Sequence, residues 1–161
     1  MKLHAKTKGN VGQLAVATHL SKLGYPVFAE LGDSCKVDLI ILDVGRPYTI
    51  QVKYCTAVNG KVDVYSKKSG PGYSYNYTAD DVDIFAIYEP RSEFIFFVAT
   101  KEVAARKSSC TFRLEKPANG QKAKVRYAAD YVDIKRILRD YTRDVLPGNA
   151  GDDDIVQTAT T

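Results

Sequence analysis

Apolar side chains near the start of the chain recur at helical spacing. Between residues 10 and 23 they return every few positions, close to the 3.6-residue period of an amphipathic helix. Asn10 can accept hydrogen bonds from free N–H groups at a helix start, and Gly24 suits the residue just beyond a helix end. The pattern predicts a first helix over residues 10–23.

The middle of the chain is rich in β-branched and aromatic residues, broken by turn-forming ones. Gly45 and Pro47 mark a tight reversal between two such runs, which predicts a hairpin. Residues 89–92 separate a second hairpin-like pair. The predicted strands are 25–29, 37–43, 48–55, 82–88, 93–99 and 110–114.

Helical periodicity returns in the last third of the chain. Thr100 can cap a short helix over residues 101–106, and apolar residues from 128 to 145 predict a second long helix. Residues 31–34 and 117–120 have loop composition, and the Gly-rich, acidic end from 147 to 161 predicts a disordered tail. We expect one α/β domain over residues 1–146, with a mixed β-sheet core flanked by helices.

The first hairpin brings polar side chains to one patch. If Gly45 and Arg46 form its tip, Asp38 lies opposite Lys53, and Gln51 lies opposite Ile40. Because side chains alternate along a strand, Gln51 and Lys53 point to the face that carries Asp38. A slip of one residue would move one strand's side chains to the other face and destroy the patch.

This patch suits the hydrolysis of a phosphodiester. The Asp38 carboxylate, the Gln51 amide oxygen and the Val52 carbonyl are hard ligands of the kind that Mg²⁺ or another divalent cation prefers. Lys53 could orient a water molecule and offset negative charge in the transition state. The alternative is that Asp38 and Lys53 form an exposed cross-strand ion pair, which contributes little.

Composition and charge are compatible with these expectations. The chain has 161 residues and carries 23 Lys and Arg against 19 Asp and Glu, a net charge of +4, with three of the acids inside the predicted tail. A modestly basic domain is compatible with a polyanionic partner. The three cysteines are far apart and form no CxxC pair, which favours reduced thiols in a cytoplasm-like compartment. We expect neither a signal peptide nor a membrane span.

Residues 65–78, which we expect to form a loop beyond the predicted hairpin, interleave cations, glycines and aromatic residues. Lysines there suit phosphate contacts, while amide and phenol groups can reach phosphates or base edges. The alternative is a solvated loop with tyrosines packed on the surface. With basic residues from the first helix and the hairpin tip, the candidate DNA-binding set is Lys6, Lys8, Arg46, Lys67, Lys68, Tyr73, Tyr75, Asn76 and Tyr77.

Three short motifs in order carry a family resemblance. Lys8-Gly9-Asn10-Val11-Gly12-Gln13, Val37-Asp38-Leu39-Ile40 and Ile50-Gln51-Val52-Lys53 resemble the motifs of the PD-(D/E)XK nuclease superfamily. More narrowly, the chain is similar to homing endonucleases encoded in bacterial group I introns, where the last motif is also Gln-X-Lys. The resemblance implies a restriction-endonuclease-like fold and a bacterial or phage-like source. It also implies site-specific, Mg²⁺-dependent cleavage of double-stranded DNA by a homo-oligomer, which is a tetramer in those relatives.

The chain departs from the family pattern at two positions. Val37 replaces a proline, and Gln13 stands where relatives tend to carry a glutamate. A neutral amide binds divalent cations more weakly than a carboxylate and cannot act as a base. The chain is then either a naturally altered variant or one made inactive so that it binds uncleaved DNA, with Glu30 as a weaker candidate for the missing acid. Two other functions remain open, a junction resolvase or repair nuclease on the same core and a DNA-binding protein with a vestigial nuclease core.

Overall fold

The first helix begins five residues earlier than predicted. In the computed structural model, which describes residues 3–30, 35–105, 109–115 and 125–143, helix α1 spans Ala5–Lys22 with His4 as its N-cap. The prediction of Asn10 as the N-cap is wrong, because the residues before it continue the helix through Gly9 despite the unfavourable helix propensity of glycine. The predicted stop is confirmed, since Gly24 has a φ of +90°.

The centre of the fold is a five-stranded mixed sheet in the order β1-β2-β3-β7-β8. Strand β3 runs parallel to β7, and the other neighbours are antiparallel. Two small sheets pair β4 with β9 and β5 with β6. The strands are β1 Val27–Ala29, β2 Leu39–Asp43, β3 Arg46–Tyr54, β4 Lys61–Tyr65, β5 Lys67–Gly70, β6 Tyr73–Asn76, β7 Ile84–Glu89, β8 Phe94–Ala99 and β9 Ser109–Arg113.

Strand β7 is buried along its whole length and divides the core in two. Its even-numbered residues, such as Ile84 and Ala86, pack with α1 and with helix α3 at Ile134–Arg143. Its odd-numbered residues Phe85 and Ile87 pack with β4, β9 and helix α2 at Thr100–Ala104. A strand covered on both faces has no polar side to alternate, which explains its continuous apolar run.

The first hairpin is present, but its predicted register is wrong by two residues. Val44 and Gly45 form the tip, with φ of 47° and 77°, and Asp43 pairs with Arg46. Positive φ at both central residues marks the type I′ turn that matches the twist of two-residue hairpins. Because the slip is even, every side chain keeps its predicted face.

The second half of the chain brings further corrections. The predicted helix over 128–145 is divided into a 3₁₀ turn at Ala128–Tyr131 and α3, because the Asp133 carboxylate accepts the Lys135 N–H at 3.0 Å and starts a new helix. Thr100 is the first residue of α2 rather than its cap. The β5–β6 hairpin takes up most of residues 65–78, where a loop was predicted, and strand β4 was not predicted.

Several predictions lie outside the described residues. These are the loops over 31–34 and 117–120, the ends of two helices at residue 106 and at 144–145, and the tail over 147–161. No helix in the described ranges is long and apolar enough to cross a membrane.

Candidate active site

A cleft of about 690 Å³ opens between α1, the paired ends of β2 and β3, and the β5–β6 hairpin. The open ends of the two strands lie away from the Val44-Gly45 tip, so the cleft forms where the chain enters β2 and leaves β3. Most of its lining residues carry charged, amide or phenol groups, and the full lining is Ala5, Lys6, Gly9, Asn10, Gln13, Glu30, Asp38, Gln51, Val52, Lys53, Lys68, Tyr73 and Tyr77.

Asp38 lies one residue before β2, and its carboxylate faces β3. Its Oδ2 accepts the Val52 N–H at 2.7 Å and a second hydrogen bond from the Gln51 amide nitrogen. The same Gln51 nitrogen lies 3.2 Å from the Val52 carbonyl oxygen. The structure therefore brings together the three residues that the sequence proposed as metal ligands.

Lys53 extends from β3 on the same side as Gln51. Its ammonium lies 4.5 Å from the centre of the Tyr77 ring and 5.2 Å from that of Phe85. Burial lowers the pKa of Lys53 to about 8. A mostly buried lysine over two aromatic faces does not fit the alternative of an exposed ion pair with Asp38.

Gln13 connects α1 to this group. Its amide nitrogen donates to the main-chain oxygen of Asp38 at 2.9 Å. One residue earlier along the helix, Gly12 faces β3, where an added Cβ would lie 3.4 Å from a methyl group of Val52. Glu30 also lines the cleft, and its side chain accepts the Cys35 N–H at 3.2 Å.

Tyr77 has a different place from the one expected. The sequence grouped it with residues that contact DNA, yet its side chain is 1% exposed. Its hydroxyl donates to the Gln51 amide oxygen at 2.6 Å, and burial raises the pKa of that hydroxyl. Sequence reasoning missed this contact because no local pattern indicates that a residue 26 positions after Gln51 folds back onto it.

The other predicted DNA-binding residues are divided between the cleft and surfaces outside it. Lys6, Lys68 and Tyr73 line the cleft. Arg46 does not, because it lies at the hairpin tip, where its guanidinium donates to the Tyr141 carbonyl at 3.0 Å. Outside the cleft lining, Lys8 lies over the Tyr54 ring, Lys67 pairs with Asn76 across the hairpin, and Tyr75 stacks on Tyr73.

The donor set fits a magnesium-like cation better than a zinc-like one. Within the ranges that the structure describes, no three His, Cys, Asp or Glu side chains cluster as metal ligands. What converges is one carboxylate, one carbonyl and one amide, and Mg²⁺ tolerates so few protein ligands because it retains several waters. As it stands, the Gln51 amide presents its nitrogen to Asp38 and its oxygen to Tyr77.

Comparison with known proteins agrees with the fold and the motifs. The sequence profile of the PD-(D/E)XK endonucleases matches residues 3–134. The chain belongs to the PD-(D/E)XK endonuclease family. A solved structure of a bacterial homing endonuclease, I-Ssp6803I, superposes with a TM-score of 0.72 at 19% identity, covering 89% of this chain and 98% of that one. No curated protein matches the sequence significantly.

The family resemblance and the fold class expected from the sequence are therefore confirmed. At 19% identity, the likeness to I-Ssp6803I establishes a shared fold and no more. The family establishes a nuclease as the class of enzyme.

Proposed function

We propose that this chain is a site-specific, Mg²⁺-dependent endonuclease that cuts double-stranded DNA, of the homing type. The observation that carries the proposal is the meeting of Asp38, Gln51 and Lys53 in one cleft of a PD-(D/E)XK family member. The homing type is suggested by the shared fold with I-Ssp6803I and by the Gln-X-Lys motif.

Each site residue has a role that its position supports. Asp38, Gln51 and the Val52 carbonyl would hold the divalent cation, which supplies charge stabilisation and an activated water when bound. The Lys53 ammonium lies in a mostly buried position, where its attraction to a phosphate oxygen is weakened less by water than at the surface. The aromatic rings under Lys53 fix its direction without neutralising its charge.

The β5–β6 hairpin is the proposed DNA-binding element, and its two faces differ. Lys68 pairs with Tyr75 and Gly70 with Tyr73 on the face turned to the cleft. The opposite face carries only exposed polar side chains: Lys67, Ser69, Ser74 and Asn76. A two-stranded ribbon fits the major groove, where amide and ammonium groups can recognise base edges. We therefore assign phosphate contacts to the first face and base contacts to the second.

A glycine makes the cleft-facing side possible. The Tyr73 ring lies across Gly70, and an added Cβ there would come within 2.5 Å of it. A G70A variant should displace the Tyr73 ring and weaken DNA binding, while the K67A exchange on the other face should leave the ring in place. We also propose that the chain acts as a homo-oligomer, since symmetric copies repeat the same contacts on both halves of a site.

The test compares linear duplexes from a random-sequence library with four-way junctions, each with Mg²⁺ and with EDTA. Cleavage of selected linear sequences only in Mg²⁺, abolished by D38N, is the expected result. Preference for junctions would replace the homing role by that of a resolvase. Binding in Mg²⁺ without any cleavage would identify a DNA-binding protein with a vestigial nuclease core.

A further inference from the structure

The buried Tyr77 hydroxyl touches the one proposed metal ligand whose chemistry depends on its orientation. A carboxylate or a carbonyl offers oxygen in any case, but an amide offers oxygen on one side and N–H on the other. In this structure the two N–H bonds of Gln51 are directed to Asp38 Oδ2 and the Val52 carbonyl, and the amide oxygen is held by Tyr77.

Turning the Gln51 amide by half a rotation exchanges these roles. Its oxygen would then face the Asp38 carboxylate and the Val52 carbonyl, so that three oxygen atoms converge. Such a group is mutually repulsive by itself and becomes favourable only around a cation. The orientation of this amide is thus linked to whether a cation is bound.

Tyr77 can stabilise both orientations, because a hydroxyl donates and accepts. At present it donates to the Gln51 oxygen at 2.6 Å, and the Tyr75 hydroxyl lies 3.4 Å from it. With the amide turned, Tyr77 would accept from the Gln51 nitrogen and donate to Tyr75 instead. The pair of hydroxyls forms a short relay that can reverse direction and keep the Tyr77 hydroxyl paired with Gln51 in both orientations.

We propose that Tyr77 is a positioning residue that turns the Gln51 amide for cation binding, with Tyr75 as the outer member of the relay. The inference rests on the proposed metal-dependent function of the same cleft. It adds a residue whose hydroxyl acts through Gln51 rather than on DNA. The Tyr77 ring, which lies below Lys53, is a separate contribution that the Y77F exchange retains.

The experiment measures Mn²⁺ binding to the full chain by the loss of the free-ion signal in electron paramagnetic resonance, without DNA. Y77F should weaken binding about tenfold, as the loss of a hydrogen bond to a metal ligand commonly does. Y75F, which removes a partly exposed hydroxyl with a longer contact, should weaken it less. The matched control is Y25F, which removes a buried hydroxyl that has no hydrogen-bond partner within the described ranges and lies near the hairpin tip.

The Q51E background separates positioning from a structural effect. A carboxylate presents oxygen on both sides and needs no turning, so Y77F should cost less than about threefold there, against about tenfold with Gln51 in place. Equal losses in both backgrounds, or no loss in either, would overturn the inference. So would an undiminished affinity of Y75F if Y77F did not fold. If the unaltered chain bound no Mn²⁺ at all, the proposed metal-dependent function itself would fail.

Discussion

Replacing Lys53 by methionine should make the protein more stable and inactive at once. Burial lowers the pKa of Lys53 from its ordinary 10.5 to about 8, which means that the fold disfavours the charged form. A difference of two to three pKa units corresponds to about 3 kcal/mol against the ammonium at neutral pH. Methionine has a similar length, packs against the Tyr77 and Phe85 rings and carries no charge, so K53M should recover part of this, about 1 to 3 kcal/mol.

The stability difference between K53M and the original chain should depend on pH. Since the folded pKa of Lys53 lies below the unfolded one, its penalty is complete below about pH 8 and disappears as the pH rises towards 10.5. Urea unfolding in EDTA should give K53M a higher free energy of unfolding than the original chain at pH 7, and this difference should largely disappear by about pH 10. The exposed Lys61 gives the matched control, and K61M should change stability by less than about 0.5 kcal/mol. A K53M protein that is less stable than the original chain at pH 7, or a difference in stability that does not change with pH, would refute the reasoning.

Three further changes test other parts of the chain. Q13E should increase Mg²⁺-dependent cleavage of a selected duplex, and no gain over the original chain would remove position 13 from the catalytic group. Burial by itself raises the pKa of the Glu89 carboxyl, but hydrogen bonds from the Ser92 hydroxyl and from main-chain N–H groups outweigh it and hold the pKa below its usual range. That stabilisation is present above about pH 4.5 and lost as the pH falls through the folded pKa. E89Q should therefore lower the free energy of unfolding in urea by about 2 kcal/mol at pH 7 and reduce the loss of stability at acidic pH. An unchanged loss of stability at acidic pH would contradict this. V44N should stabilise the protein by about 1 kcal/mol, because Val44 is exposed and has a positive φ, which asparagine adopts more readily than valine. An unchanged midpoint of urea unfolding would show that the turn is not strained.

The site could be predicted as far as local rules extend. Strand alternation alone places Gln51 and Lys53 on one face of β3. The prediction that Asp38 lies on that same face held although the turn was placed one residue too late. It held because an error of one residue at the tip shifts the pairing by two, and side chains repeat with a period of two. An error in the loop length by one residue would have separated Asp38 from both.

Contacts between distant segments could not be predicted in this way. The β5–β6 hairpin was taken for a loop because its lysines, glycines and serines have low strand propensity. Its Tyr77 end is nevertheless ordered by burial against Phe85 and by the bond to Gln51. These are tertiary contacts, and tertiary packing can override local propensity where no pattern in the local sequence indicates it.

The position of Gln13 shows how hydrogen bonds hold the cleft together. A glutamate there would place a second negative charge against the Asp38 main-chain oxygen, which is unfavourable unless a cation lies between them. The amide of Gln13 instead donates to that oxygen, while Val52 and Gln51 donate to the carboxylate of the same residue. N–H groups thus contact two Asp38 atoms that could bind a cation, Oδ2 and the main-chain oxygen. A cation that bound at Asp38 Oδ2 would have to displace the Gln51 donor. An acid at position 13 would exchange the hydrogen bond of Gln13 for charge attraction to that cation, so Q13E should lower stability in EDTA and raise affinity for Mg²⁺.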